Sequence, residues 1–136
     1  MRWVVDASIA IKWVIIEDGR EEARRFLLTN DDLIAPEFLV VEVANALRTK
    51  IARGQFEAEN GARALEAVQS AIGTFIPDRQ LVSDAFSLAA RLRHSVYDCL
   101  YLACAVRHDA TMMTADTRFL DKLAPYPESA RARALT

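Results

Sequence analysis

Four short apolar runs alternate with longer amphipathic stretches along the chain. Trp3-Val4-Val5 is apolar at consecutive positions and stops at Asp6. Leu33-Ile34-Ala35, Thr74-Phe75-Ile76 and Thr111-Met112-Met113-Thr114 repeat the pattern. Runs this short, without alternation, read as strands buried on both faces. Helical spacing fills the intervals. Ser8 is placed to cap a helix carrying Ile9, Ala10, Ile11 and Trp13. A second helix, about Arg20 to Leu28, has Ala23, Phe26 and Leu27 on its apolar side. A third runs from Pro36, suited to a first helical position, to about Arg53, with Gly54 as C-cap. Ala58, Ala62, Leu65, Val68 and Ile72 mark a fourth, and Leu81, Ala85, Leu88 and Leu92 a fifth. Asp98 opens a helix whose CLYLACAV stretch is apolar on nearly every side, which predicts deep burial. Thr117 to Leu123 forms a short last helix, and residues 125–136, rich in Pro, Ala and Arg, read as a loosely held tail.

Strands alternating with helices predict an α/β fold with a parallel sheet. The length of 136 residues predicts a single domain, 1–136. A composition 52% hydrophobic and 26% charged excludes a disordered chain. No apolar run reaches the roughly 18 residues of a bilayer span. Asp6 interrupts any leader-like apolar segment, so a cytoplasmic protein without a membrane partner is expected. Cys99 and Cys104 lie five apart on one helix, point away from each other and read as small core residues. The formal net charge of −2, from 17 basic and 19 acidic residues, argues against gripping a polyanion by bulk charge.

The acids sharpen that picture. Asp6 ends the first strand and Asp116 follows the last, so a parallel sheet puts both at its carboxyl edge. The helix entered at Asp98 precedes a strand, runs antiparallel to it and begins at the same edge. Glu42 sits in the second turn of a helix that leaves that edge. It interrupts Leu39-Val40-Val41 and Val43-Ala44, where a carboxylate is costly without a positive partner. No Arg or Lys lies one turn away; Asn45 does, on the same face. Carboxylates gathered this way raise one another's pKa unless a cation intervenes. All-oxygen donors select Mg²⁺ or Mn²⁺ over zinc. Such a metal suits phosphodiester hydrolysis by an activated water. Setting these four acids aside leaves 17 basic against 15 acidic residues, so the acidic surplus is the site itself.

VVDASIAIKW at 4–13, APEFLVVEVANAL at 35–47, YDCLYLACAV at 97–106 and TADTRF at 114–119 together resemble the PIN-domain ribonucleases. The closest resemblance is to the VapC-type toxins of toxin–antitoxin pairs. It implies a three-layer α/β/α domain with helices on both faces of a short-stranded sheet. It implies Asp6, Glu42, Asp98 and Asp116 as catalytic metal ligands, with Ser8, Asn45 and Thr114 as polar supports. It further implies a Mg²⁺- or Mn²⁺-dependent endoribonuclease acting on tRNA or ribosomal RNA. A homodimer and a VapB-type antitoxin partner belong to the same expectation.

Each acid has a plainer reading alone. Asp6 and Asp98 suit helix N-caps, Asp116 a turn, and Glu42 an exposed helix face. Asp121 reads as a solvated helix residue, His94 and His108 as structural or exposed, and Trp3 and Trp13 as core or dimer contacts. Arg91, Arg93, Arg131 and Arg133 suit either RNA phosphates or solvent. A phosphoaspartyl phosphatase would carry DxD where the chain has Asp6-Ala7-Ser8. A receiver domain needs a late lysine after a strand, and Lys122 follows a helix. A PIN-fold RNA-processing nuclease outside a toxin–antitoxin pair, or a non-catalytic PIN-like scaffold, remains the alternative.

Overall fold

A computed structural model describes residues 1–136. Its strands are β1 (Arg2–Val5), β2 (Asp32–Pro36), β3 (Thr74–Ile76), β4 (Thr111–Thr114) and β5 (Ala132–Ala134). Its α-helices are α1 (Ala7–Val14), α2 (Arg20–Arg25), α3 (Phe38–Ala52), α4 (Gly61–Ala71), α5 (Asp78–Leu92), α6 (Val96–Arg107) and α7 (Thr117–Leu123). The strands form one parallel sheet in the order β3-β2-β1-β4-β5. Helices α1 to α4 pack on one another, α5 and α6 on one another, and α6 lies against β1, β2 and β4. This is the expected α/β/α arrangement with a short-stranded sheet.

The apolar runs build the centre. Val4 and Val5 are fully buried, and every residue from Cys99 to Ala105 is buried, as the all-apolar stretch of α6 predicts. Trp3 and Trp13 are core residues whose indole N–H groups find Asp31 Oδ2 and Ala23 O. Burial pushes the Cys99 thiol up to about 11 and Cys104 up to about 12, leaving both unreactive.

Several local expectations change. Asp6, not Ser8, caps α1, its carboxylate accepting from Ile9 N. Pro36 ends β2 instead of opening α3, in register with Ile76, and the following amide, Glu37 N, donates to Ile76 O. The second helix tightens into a 3-10 turn at Phe26–Leu28, which leaves Leu27 exposed. α6 begins at Val96, so Asp98 lies within its first turn instead of opening it.

The largest correction is the tail. Residues 127–131 form a 3-10 turn, and Ala132–Ala134 pair in parallel with Met112–Thr114 as β5. The Leu135 amide then donates to Thr114 O. Arg91–Glu128 and Arg131–Asp109 ion pairs pin the segment, so neither Arg91 nor Arg131 is an unattached basic group.

Candidate metal centre

The carboxyl edge of the sheet collects the four acids by element direction. Asp6 follows β1 directly, and its amide donates to Met113 O of β4. Asp116 lies two residues beyond β4 and caps α7, its Oδ1 accepting from Phe119 N. Glu42 is in the second turn of α3, and Asp98 in the first turn of α6. Asp6 and Asp116 are therefore helix caps and rim acids at once.

Asp6 is 7% exposed and the most constrained of the set. Ser8 Oγ donates to its Oδ1 at 2.5 Å, Thr114 Oγ1 to its Oδ2 at 2.5 Å, and Ile9 N to Oδ1 at 3.2 Å. The two hydroxyls are themselves fixed by the turn after β4. The Ala115 amide donates to Ser8 Oγ and the Asp116 amide to Thr114 Oγ1. The amide of one acid thus orients the hydroxyl that holds another. Burial raises the Asp6 carboxyl to about 6; its three hydrogen bonds pull down, and the Asp98 charge pushes up. No lysine or arginine pairs with it.

Glu42 is half-buried and accepts the Tyr101 hydroxyl at Oε1. Its carboxyl is also raised, first by burial, against the Tyr101 hydrogen bond, with further upward pushes from Asp98 and Asp6. Tyr101 is itself buried, and burial together with Glu42 raises its phenol well above the ordinary range. Asp98 Oδ2 lies 2.5 Å from His94 Nε2.

Ser8 and Thr114 stand where polar supports are expected. Asn45 does not: it is exposed, and its side chain makes no hydrogen bond to Glu42 or to any other residue. Its place at Glu42 is taken by Tyr101 from α6. Tyr101 and His94 are the two site residues missed from sequence. Tyr101 lay hidden inside an apolar run, its one polar atom the only signal. His94 precedes Asp98 by four residues but lies in the turn before α6, so helical periodicity does not link the two.

The donor chemistry fits a hard divalent cation. The rim offers carboxylate oxygens with no lysine or arginine paired to them, and burial and mutual repulsion raise two of them. As the side chains stand, no three of the acids lie together as a closed ligand cluster.

Residues 3–124 match the sequence model of the PIN domain. The chain belongs to the PIN domain family. Ribonuclease VapC9 of Mycobacterium tuberculosis is 32% identical over 118 residues, covering 87% of this chain and 88% of that protein. Ribonuclease VapC3 of Pyrobaculum aerophilum is 27% identical over 124 residues, covering 90% and 95%. The crystal structure of VapBC2 from Rickettsia felis, bound to a DNA fragment from their promoter, superposes over the whole of both chains with a TM-score of 0.69 at 12% identity. The PIN match ends at residue 124, just before the segment that supplies β5.

Proposed function

We propose that this PIN-domain protein is a divalent-metal-dependent endoribonuclease, the toxin of a toxin–antitoxin pair. The observation that carries the reading is the gathering of Asp6, Glu42, Asp98 and Asp116 at one sheet edge, where burial and like charge hold Asp6 and Glu42 raised. The relatives named VapC ribonucleases, matched over most of their length, give the activity its class.

These four carboxylates would hold Mg²⁺ or Mn²⁺. Such a cation supplies positive charge for phosphoryl oxygens and acidifies a water. The chain's own residues prepare the site for it. Ser8, Thr114 and the Ile9 amide fix Asp6 with both oxygens engaged, so its orientation is set before any ligand arrives. Tyr101 holds one oxygen of Glu42 and leaves the other open. The N-termini of α1, α6 and α7 converge on this edge and favour anionic groups there. RNA is the proposed substrate, tRNA or ribosomal RNA its class.

A VapB-type antitoxin is the proposed partner, in keeping with the VapBC2 likeness. A homodimer is proposed from the apolar surface of α5 and α6, where Val82, Phe86 and Val106 are exposed. No helix is long and apolar enough to cross a membrane, and the cytoplasm is the proposed compartment.

The deciding experiment incubates purified protein with structured RNA and Mg²⁺ or Mn²⁺, beside Asp6→Asn and Asp98→Asn. Metal-dependent cleavage lost in both variants supports the assignment; cleavage unchanged in them sinks it. Metal binding without cleavage of any RNA would favour a non-catalytic scaffold.

A further inference from the structure

Three of the rim acids, Asp6, Glu42 and Asp98, are each held by a side chain from elsewhere in the fold. For Asp6 these are hydroxyls, and for Glu42 a phenol. Asp98 has an imidazole instead, and its protonation pattern follows from what stands behind it.

His94 is in the turn between α5 and α6. Arg93 closes α5 in the left-handed conformation, at φ +54°, and the His94 amide donates back to Ala89 O at 3.0 Å. The ring packs on Phe119 with centroids 4.7 Å apart. Its Nε2 is 2.5 Å from Asp98 Oδ2, and its Nδ1 is 3.3 Å from Lys122 Nζ. Lys122 is anchored by donating to Arg93 O at 2.8 Å.

An ammonium group only donates. The nitrogen facing Lys122 must therefore accept, and a protonated Nδ1 would set two donors against each other. The neutral ring then carries its hydrogen on Nε2 and donates it to the carboxylate. Lys122 fixes the tautomer, yet stands one imidazole away from Asp98 and does not take its charge.

We propose that His94, locked by Lys122 as the Nε2–H tautomer, is a positioning residue that aims Asp98 into the carboxylate rim. A carboxylate has lone pairs on both oxygens, so holding Oδ2 fixes the group and leaves Oδ1 free to ligate. The purpose of this contact rests on the metal reading above; the tautomer does not.

Two measurements on the full metal-free chain test it. Ring nitrogen NMR at about pH 8.5, where an ordinary imidazole is neutral, separates His94 from His108 with a His108 substitution. The Nε2–H form of His94 is expected; an Nδ1–H form or an imidazolium would overturn the arrangement. Calorimetry with Mn²⁺ then compares the unmutated chain with His94→Leu and His94→Gln. Loss of an outer partner of a ligand costs about 10- to 100-fold in metal affinity. His94→Leu should show that loss, and His94→Gln, which keeps an N–H near the Nε2 position, should recover most of it. Unchanged Mn²⁺ affinity in His94→Leu, or equal weakness in both variants, would overturn the positioning role. Should the unmutated chain bind no Mn²⁺, the metal reading fails and takes the role of the contact with it, while the NMR result still stands on the tautomer.

Discussion

Thr114 and Asp6 lie 108 residues apart and are joined by a hydrogen bond of 2.5 Å, from the threonine hydroxyl to Oδ2. The Asp116 amide donates to the same hydroxyl, so one buried oxygen links two rim acids. Thr114→Val keeps the shape and removes the donor. One buried carboxylate oxygen is then unsatisfied, at a cost of about 1–3 kcal/mol. Urea unfolding of the metal-free protein should show that loss at neutral pH, and a smaller one near pH 5, where Asp6 is largely protonated. An equal loss at both pH values would separate the effect from the Asp6 charge.

Asp6 should also make the metal-free fold less stable as pH rises. Its carboxyl goes from an ordinary 3.8 to about 6 on folding. Between those values the folded chain binds more protons than the unfolded one, so stability falls with increasing pH across that window. The full effect is on the order of 3 kcal/mol. Asp6→Asn keeps a good N-cap and abolishes the titration. In EDTA at pH 8 it should be more stable than the unmutated protein, with the difference shrinking toward pH 4. Denaturant midpoints across pH give the comparison, and a less stable Asp6→Asn at pH 8 would contradict it.

The chain announces its frame in particular places. Val4-Val5, Ile34-Ala35 and Met112-Met113 are apolar on consecutive residues because α/β layers cover both faces of their strands, so four of five strands can be read directly. The rim acids follow from direction alone, since a parallel sheet has one carboxyl edge. β5 escapes because Ala132-Arg133-Ala134 is a half-exposed edge strand with neither pattern nor β-forming residues; only the neighbouring β4 backbone makes it a strand. Tyr101 escapes for the opposite reason. Its ring belongs to the core of α6 while its hydroxyl belongs to the site, and apolar periodicity reports only the ring. His94 and Lys122 are 28 residues apart, and their contact arises only when α7 packs beside the α5–α6 turn.

Tyr101→Phe isolates that hydroxyl. The ring volume is retained, so the core should stay packed. Glu42 loses its only side-chain donor, and its carboxyl, already raised by burial, should rise further. The proposed metal affinity and RNA cleavage should fall by about tenfold or more, while the thermal midpoint moves by only a few degrees. Titration calorimetry with Mn²⁺ and a melting curve check the two halves. A fully active variant would show that Glu42 needs no aiming.

Removing residues 127–136 should do more than trim a tail. The truncation strips the β5 pairing from β4 and leaves Arg91 and Asp109 without their Glu128 and Arg131 partners. An exposed parallel edge invites pairing between chains. A lower thermal midpoint and concentration-dependent association by light scattering are expected. A truncated chain as stable and as monodisperse as the full one would mean that β5 adds nothing to the fold.

Metal addition should stabilise the fold through the rim acids and nowhere else. A ligand bound only by the folded chain adds RT ln(1 + [L]/Kd), or about 2.7 kcal/mol at one hundred times Kd. Mn²⁺ should therefore raise the thermal midpoint, and EDTA should reverse the shift. The gain ought to grow as pH rises through about 6 and then level off, as Asp6 gives up its proton to become a ligand. Asp98→Asn and Glu42→Gln should blunt the shift while folding normally, because each removes like charge from the same edge. Asp121→Asn, an exposed acid on α7 outside the rim, should respond as the unmutated protein does. A Mn²⁺ shift that survives in Asp98→Asn and Glu42→Gln but vanishes in Asp121→Asn would relocate the metal away from the sheet edge.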